Sequence, residues 1–421
     1  MPLYKVSGVI GDDSIVYVID EDSKIIEKYE SVVAGAYEID RLSSGDKIIV
    51  AVKASGESSA YGSVTAIEGE GDTNSTGNDG SITIDTADTV VNDYTNVASI
   101  AGVNSLTVGD SSPYSVGDEV LIIQMQDADA LVGNWETRRI SNVSSPTLTF
   151  TEDIVNTYSI ADDDVVQAVR IPNYNIVGVE SDASIVCPAW DGSTGGIIFF
   201  RARNEVTISG TIGAINKGFR GGAGRGGNTA QYGWRGESTQ PVSFGAYAGS
   251  ANMALGGGGG GWCGTAGTAW PAGGAGGGHA TVGQAGRKAG SPYYSGANGV
   301  GGDAYGVVNL DKIYFGSAGG NSYSSFGGNG GGIIIISALV INLTGTINAN
   351  GQTSWEYGGS GAGGTVWLQS TILNMGTNLV SATGGAITGY GGAGGTGRIR
   401  LDYTTLTGST ANPTPGYTGS Y

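Results

Sequence analysis

The sequence predicts an all-β protein, and three observations carry that prediction. Apolar residues alternate in short runs separated by Gly, Asp and Ser turns; an apolar strand run recurs, its last three copies starting about 32 residues apart; and glycine fills about every third position from Gly218 to Gly332. Period-two alternation marks half-buried strands, and a fixed spacing in this range marks stacked repeats. Four parts follow from these patterns: a β-sandwich at 1–68, a linker at 69–80, a β-barrel or sandwich at 81–190, and β-strand repeats at 191–421 that carry a glycine-rich insertion at 218–332.

The first part alternates through Tyr4–Ile10, Ser14–Ile19, Ala36–Ile39 and Lys47–Val52. About seven such strands in under 70 residues argue a small sandwich. Val6-Ser7-Gly8-Val9-Ile10, Gly35-Ala36-Tyr37-Glu38-Ile39 and Gly45-Asp46-Lys47-Ile48-Ile49-Val50 resemble the immunoglobulin-like modules related to carboxypeptidase regulatory domains. That resemblance implies an adaptor or spacer without an activity of its own.

Residues 68–80 carry no apolar side chain and read as a solvated linker. Asp72, Asn74 and Asp79 suggest a calcium loop, but the twelfth position holds Thr83 where an EF-hand needs Glu, so the match fails. Beyond it, Val116-Gly117-Asp118 leads into the apolar run Glu119–Met125, a hairpin signal. Runs at Thr147–Phe150 and Val165–Ile171 complete a second β-domain.

The repeated unit then begins. Gly195–Phe200 followed by Ile208–Ile212 matches Gly331–Ile336 followed by Leu343–Ile347; a looser copy starts at Gly363 and a truncated one at Gly395. One unit cannot bury its apolar strand alone, so stacked copies must build a continuous core. The segment 218–332 is then a long insertion between the first two copies. The clusters 357–364 and 390–395 hold the equivalent place before later strands.

Glycine loses the most backbone entropy on folding, so its density here needs a compensating reason. A flexible linker would lack large rings, whereas this segment carries Tyr232, Trp234, Phe244, Tyr247, Trp262, Trp270, Tyr293, Tyr294, Tyr305, Tyr323 and Phe326. A collagen helix would need a strict Gly-X-Y period. The remaining solution is an array of extended, polyproline-II-like glycine rods whose backbone groups bond to neighbouring rods, a polyglycine-II-like packing.

The net charge of −18 divides unevenly, −22 over residues 1–190 and +4 over 191–421. Such an acidic half disfavours nucleic acid and anionic membranes as partners. Nor does any run of eighteen apolar residues occur, and the first residues lack the apolar core of a secretory signal, so neither membrane insertion nor ordinary export is expected. Cys187 and Cys263 leave a disulfide and two free thiols both open.

Catalytic patterns are scarce. The single histidine, His279, sits in Gly277-Gly278-His279-Ala280 with no nucleophile elbow nearby and reads as a tolerated loop residue. A zinc site would need more ligands at closer spacing, and no phosphate-binding loop occurs. Glycoside hydrolysis needs two placed carboxyl groups, and nothing in the sequence brings candidates such as Glu237 and Asp303 together. No catalytic residue, metal or cofactor is expected.

Aromatics are the stronger signal, because a glycine scaffold has no side chains with which to shield them, and Tyr and Trp give large contact area at low entropy cost. The candidate ligand-binding residues are Trp234, Trp262, Trp270, Tyr293, Tyr294, Trp355 and Tyr357. The competing reading is that the same rings cover the rods as core. Arg220, Arg225 and Arg235 could engage acidic sugars or equally be solvated surface.

Val169–Tyr174, Trp190–Gly196 and Lys217–Gly222 resemble the entry to glycine-rich repeats in tail-fibre and adhesin proteins of tailed bacteriophages. The similarity covers residues 81–408. It implies a non-enzymatic virion component that joins other virion proteins through the N-terminal module and contacts a host-surface receptor, a polysaccharide or a protein, through loops between polyglycine rods. Fibre shafts of that family are threefold, which leaves a homotrimer open; polyglycine tips can be single chains. Two alternatives stand beside it: a self-assembling filament protein of a virion or cell surface, and a polysaccharide depolymerase.

Overall fold

The computed structural model describes the backbone of five strands within residues 1–73 and most of residues 75–421; outside the described residues lie 129, 162, 224–231, 241–248, 253–255, 263–271, 289–296, 323–324, 388, 409–411 and 420–421. The chain divides into two compact units, Met1–Thr73 and Asn74–Tyr421. It is all-β, with no helix among the described residues.

In the first unit, strands β1 (Lys5–Ile10) and β4 (Gly35–Asp40) pair antiparallel. Strand β2 (Ser14–Ile19) pairs with β3 (Ile25–Val32) on one side and β5 (Ile49–Ala54) on the other, both antiparallel. The described residues thus supply five of the roughly seven strands read from the alternation.

The second unit is a two-sheet parallel solenoid with a barrel inserted into it. Strands β6 (Ile82–Ile84) and β7 (Thr89–Val90) form its first coil. The chain then leaves to build a closed antiparallel barrel from β8 (Tyr94–Gly102), β9 (Ser105–Val108), β10 (Glu119–Gln126), β11 (Trp135–Ser144), β12 (Thr147–Phe150) and β13 (Val165–Ile171). It returns at β14 (Asn173–Val179) and β15 (Ser184–Val186), and each later coil repeats a long strand followed by a short one. These are β16 (Ile197–Ile208) with β17 (Thr211–Gly213), β18 (Ile333–Leu343) with β19 (Thr346–Asn348), and β20 (Thr365–Met375) with β21 (Val380–Ser381). Strand β22 (Arg398–Thr407) and the short β23 (Tyr417–Gly419) end the stack.

All long strands stack in parallel in the order β6-β14-β16-β18-β20-β22-β23, and the short ones in the order β7-β15-β17-β19-β21. Ile197, Ile333, Thr365 and Arg398 lie side by side. These are the aligned positions of the repeated sequence unit.

The boundaries read at 81 and 190 do not survive, because the barrel occupies only 94–171 and the strands on either side of it belong to the solenoid. The linker is also shorter than the composition suggested. Asp79 pairs with Arg170, its carboxylate accepts the Asn173 N–H at 2.6 Å, and Asn175 N–H bonds Gly80 O at 2.6 Å. Polar residues 75–80 are thus tied to the start of β14.

Alternation along the long strands explains why they read as continuous apolar runs. Ile198, Phe200, Ile334, Ile336, Val366 and Leu368 face the short sheet and form the solenoid core. Their neighbours Ile197, Phe199, Ile333, Ile335 and Trp367 face the other way, against Leu121, Ile123, Met125, Val169 and Ile171 on the outside of the barrel. Val120, Ile122, Val166 and Ala168 fill the barrel itself. Both faces of β10 and β16 are therefore buried, as strands between two packed layers must be.

Polar side chains lock the barrel to the solenoid. Tyr94 Oη donates to Ile197 O at 2.6 Å, Asn92 bonds both the N–H and the C=O of Phe199, and Gln167 does the same for Gly195. The carboxylate of Glu119 meets Arg201 Nε at 3.1 Å and accepts from Asn173 Nδ2 at 2.9 Å. Cys187 is a free thiol buried in the solenoid core, and burial pushes its pKa up to about 12; Cys263 lies outside the described residues.

Candidate functional site

The glycine segments between coils run side by side as extended rods. The rod at 272–279 makes the pattern explicit. Gly273 and Gly276 donate to Arg287 and Gln284, Gly274 and Gly277 to Tyr357 and Ser360, and Ala275 and Gly278 to Gly259 and Gly256. Its carbonyls accept from three further segments: Gly299 and Gly302, Gly320 and Ser317, Gly392 and Gly395. Every third residue addresses the same neighbour, which is the period of an extended threefold helix, and six segments surround this one.

Such packing leaves no room for side chains. A Cβ at Gly273 or Gly276 would fall well inside van der Waals contact of the Tyr390 or Ala393 carbonyl oxygen. Glycine is demanded here by the approach of neighbouring backbones, and every N–H of the rod is satisfied.

Three of the rods continue directly into a solenoid strand: Gly332 precedes Ile333, Gly364 precedes Thr365, Gly397 precedes Arg398. The opposite end carries the loops. There Tyr232 and Trp262 pair across an isolated antiparallel bridge with their rings edge to face at 4.9 Å, and Tyr357 stacks on Tyr390 at 5.2 Å. Trp234 lies two residues on from Tyr232 of the bridge, its backbone bonded to Asn321. All these rings except Trp355 are partly covered.

Trp355 stands apart with 80% of its surface exposed. Its loop is closed by Gly358 N–H to Trp355 O at 2.9 Å and by Tyr390 N–H to Glu356 O at 2.6 Å. Phe326, on the adjoining loop, is 67% exposed. Between them opens a cleft of about 760 Å³ that runs down the flank of the rods past Gly327, Gly328, Asn329 and Gln352 to Arg220. Sequence reasoning missed Phe326, Asn329, Gln352 and Glu356 as a group, because they converge only when separate rods pack. Of the other candidates, Trp270, Tyr293 and Tyr294 lie outside the described residues, as does Arg225.

Arg220 is not available as a lone cation. Its Nε and Nη2 grip both oxygens of buried Glu237 at 3.0 and 2.9 Å, and its Nη1 donates to Asp191 O. Glu237 also accepts from the Arg220 N–H and from Trp190 Nε1, so it anchors the base of the rods. Asp303 is elsewhere, exposed and bonded to Asn252.

His279 is a core residue and not a loop residue. It is fully buried, donates Nδ1–H to Gly363 O at 2.8 Å, stacks on Tyr305 at 5.0 Å, and leaves Nε2 without a partner. Burial, with the nearby Arg398 charge, lowers its pKa to about 3. No cluster of metal-ligating side chains occurs among the described residues.

No protein-family model matches the chain, and no curated protein matches it. Among solved structures it is similar to the Gp54 tailspike of Acinetobacter baumannii bacteriophage AP22 in complex with A. baumannii capsular saccharide, at 13% identity and a TM-score of 0.18. The match covers 78% of this chain and 62% of that one, so the chain spans about three fifths of the tailspike's length.

Proposed function

We propose that the chain is a non-enzymatic receptor-binding protein of a tailed bacteriophage, attaching to a host-surface glycan or protein through the ring-bearing loops at the free end of a polyglycine-II-type array. The observation that carries this reading is Trp355, a large ring left 80% exposed on a loop whose backbone is tied down on both sides. A pre-ordered aromatic that buries nothing at home loses little entropy on binding. The N-terminal module joins other virion proteins in this reading, and the virion is the location.

The carboxylates favour binding over hydrolysis. Asp191 is held by the backbone of Ser193 and Thr194, Glu205 by Thr207 and Asn342, Glu237 by Arg220, Asp311 by Asn309, and Asp402 by Arg400 and Trp367. A glycosidase needs two carboxyl groups facing one bond, and Glu356 lines the cleft without a second among the described residues.

The test is adsorption of labelled full-length protein to a panel of bacterial cells. Wild type adsorbs to a subset of strains, and the triple variant Trp262→Ala, Trp355→Ala, Tyr357→Ala loses at least tenfold in affinity. Equal adsorption by that variant sinks the tip assignment, and release of reducing ends from host capsule would establish the depolymerase alternative.

A further inference from the structure

We infer that the cleft on the flank of the rod array is a saccharide groove that selects uncharged glycans over acidic ones, which for its biological setting rests on the receptor-binding reading. A pyranose ring presents an apolar C–H face and a polar hydroxyl edge. Trp355 and Phe326 supply exposed ring faces at the mouth of the cleft. Deeper in, the wall is Gly327-Gly328, whose N–H groups are bonded to Gly222 and Gly359 of neighbouring rods and so form a fixed backbone surface.

The polar groups suit the hydroxyl edge. Asn329 Oδ1 accepts the Gly221 N–H at 2.8 Å and Gln352 Oε1 accepts the Asn329 N–H at 3.0 Å, so both amides are pinned to the rods by their oxygens. Their NH2 groups remain as donors. Glu356 supplies an acceptor on a residue held at φ 46°, its carbonyl fixed by the Tyr390 and Gly391 N–H groups. The volume, about 760 Å³, lies within the range of ligand pockets, roughly 300–1,000 Å³.

Charge decides the class of sugar. Arg220 is the cation of the wall among the described residues, and its two-point pairing with Glu237 neutralises it. Glu356 has no such counter-ion among the described residues, so the uncompensated charge that the described residues place in the cleft is negative. A uronate or sialate carboxylate would be repelled. A neutral hexose or N-acetylhexosamine is not.

Full-length protein is titrated with chito-, galacto- and manno-oligosaccharides and with oligogalacturonate, followed by tryptophan fluorescence and calorimetry. Binding of at least one neutral series at tenfold or greater preference over the uronate is expected. Trp355→Ala and Phe326→Ala each lower that affinity about tenfold with unchanged thermal midpoints, since both rings are exposed. Glu356→Gln narrows the preference at least threefold. Equal or tighter uronate binding overturns the inference, as does indifference to both ring deletions. Failure of every oligosaccharide to bind while cells still adsorb also overturns it and leaves attachment by the tip loops standing; failure to adsorb to any cell removes the parent reading instead.

Discussion

At Gly276 one rod passes so near the next that a methyl group has nowhere to go but into the Ala393 carbonyl. Because both backbones are pinned by hydrogen bonds, Gly276→Ala is expected to destabilise by about 3 kcal/mol or more, at the upper end of overpacking. At Gly416 an added Cβ meets the side chain of Val308 at 3.6 Å, an ordinary contact, so Gly416→Ala stays within about 0.5 kcal/mol. Chemical denaturation of the two variants measures the difference. His279 makes a second residue-scale prediction. Above pH 6.5 the imidazole is neutral in both states; below it the unfolded chain binds a proton that the folded chain refuses down to about pH 3. Stability therefore falls as pH drops through that window, by up to roughly 1.4 kcal/mol per pH unit. His279→Asn keeps a donor for Gly363 O and removes the titration, so its thermal midpoint should fall less between pH 6 and pH 4 than that of wild type.

The strands of the solenoid carry the stability of the second unit in proportion to how many layers cover them. Ile335 on β18 packs between the long sheet and the barrel-side core, and Ile335→Ala should lower stability by about 2–5 kcal/mol through lost burial and a residual cavity. Ile372 on β20 is 37% exposed, and its truncation should be several times milder. Equal effects in denaturant titrations would contradict the two-layer burial of these strands. The repeat spacing and the apolar runs of β16, β18, β20 and β22 were legible as sequence, because the first three keep a glycine pair ahead of the strand and the last keeps Gly395-Thr396-Gly397 in the same place. Coils β6–β7 and β14–β15 were not. Strands β6, β7 and β15 are only two or three residues long, and the barrel separates the two coils by some 80 residues of other pattern.

For the whole molecule, the rods find their hydrogen-bond partners within one chain, which removes the need for a threefold array at this end. A chain beginning at Asn74 should therefore fold alone, keep the main thermal transition of the full protein, and run as a monomer in light scattering. A trimer would return the threefold shaft to consideration, and loss of the transition would show that the first unit supports the second. The candidate site belongs to this scale as well. Trp355 was legible as a large ring beside a glycine cluster, but Phe326, Asn329, Gln352 and Glu356 come from two loops that meet only through rod packing. Arg220 was legible as a charge but its pairing was not, since nothing in its neighbours announces the Glu237 carboxylate 17 residues on.

Local periodicity and composition by themselves determined that the chain is all-β, that its later part repeats, and that its glycines must pack backbone against backbone. Those properties depend on neighbours in sequence and on how little space glycine occupies. Only the tertiary structure decided that the barrel interrupts the solenoid, that six rods surround one, that His279 is buried, and that two exposed rings share a cleft. Each of those outcomes depends on which distant segments become neighbours, and the hydrogen bonds that choose them join backbone groups that every residue carries alike.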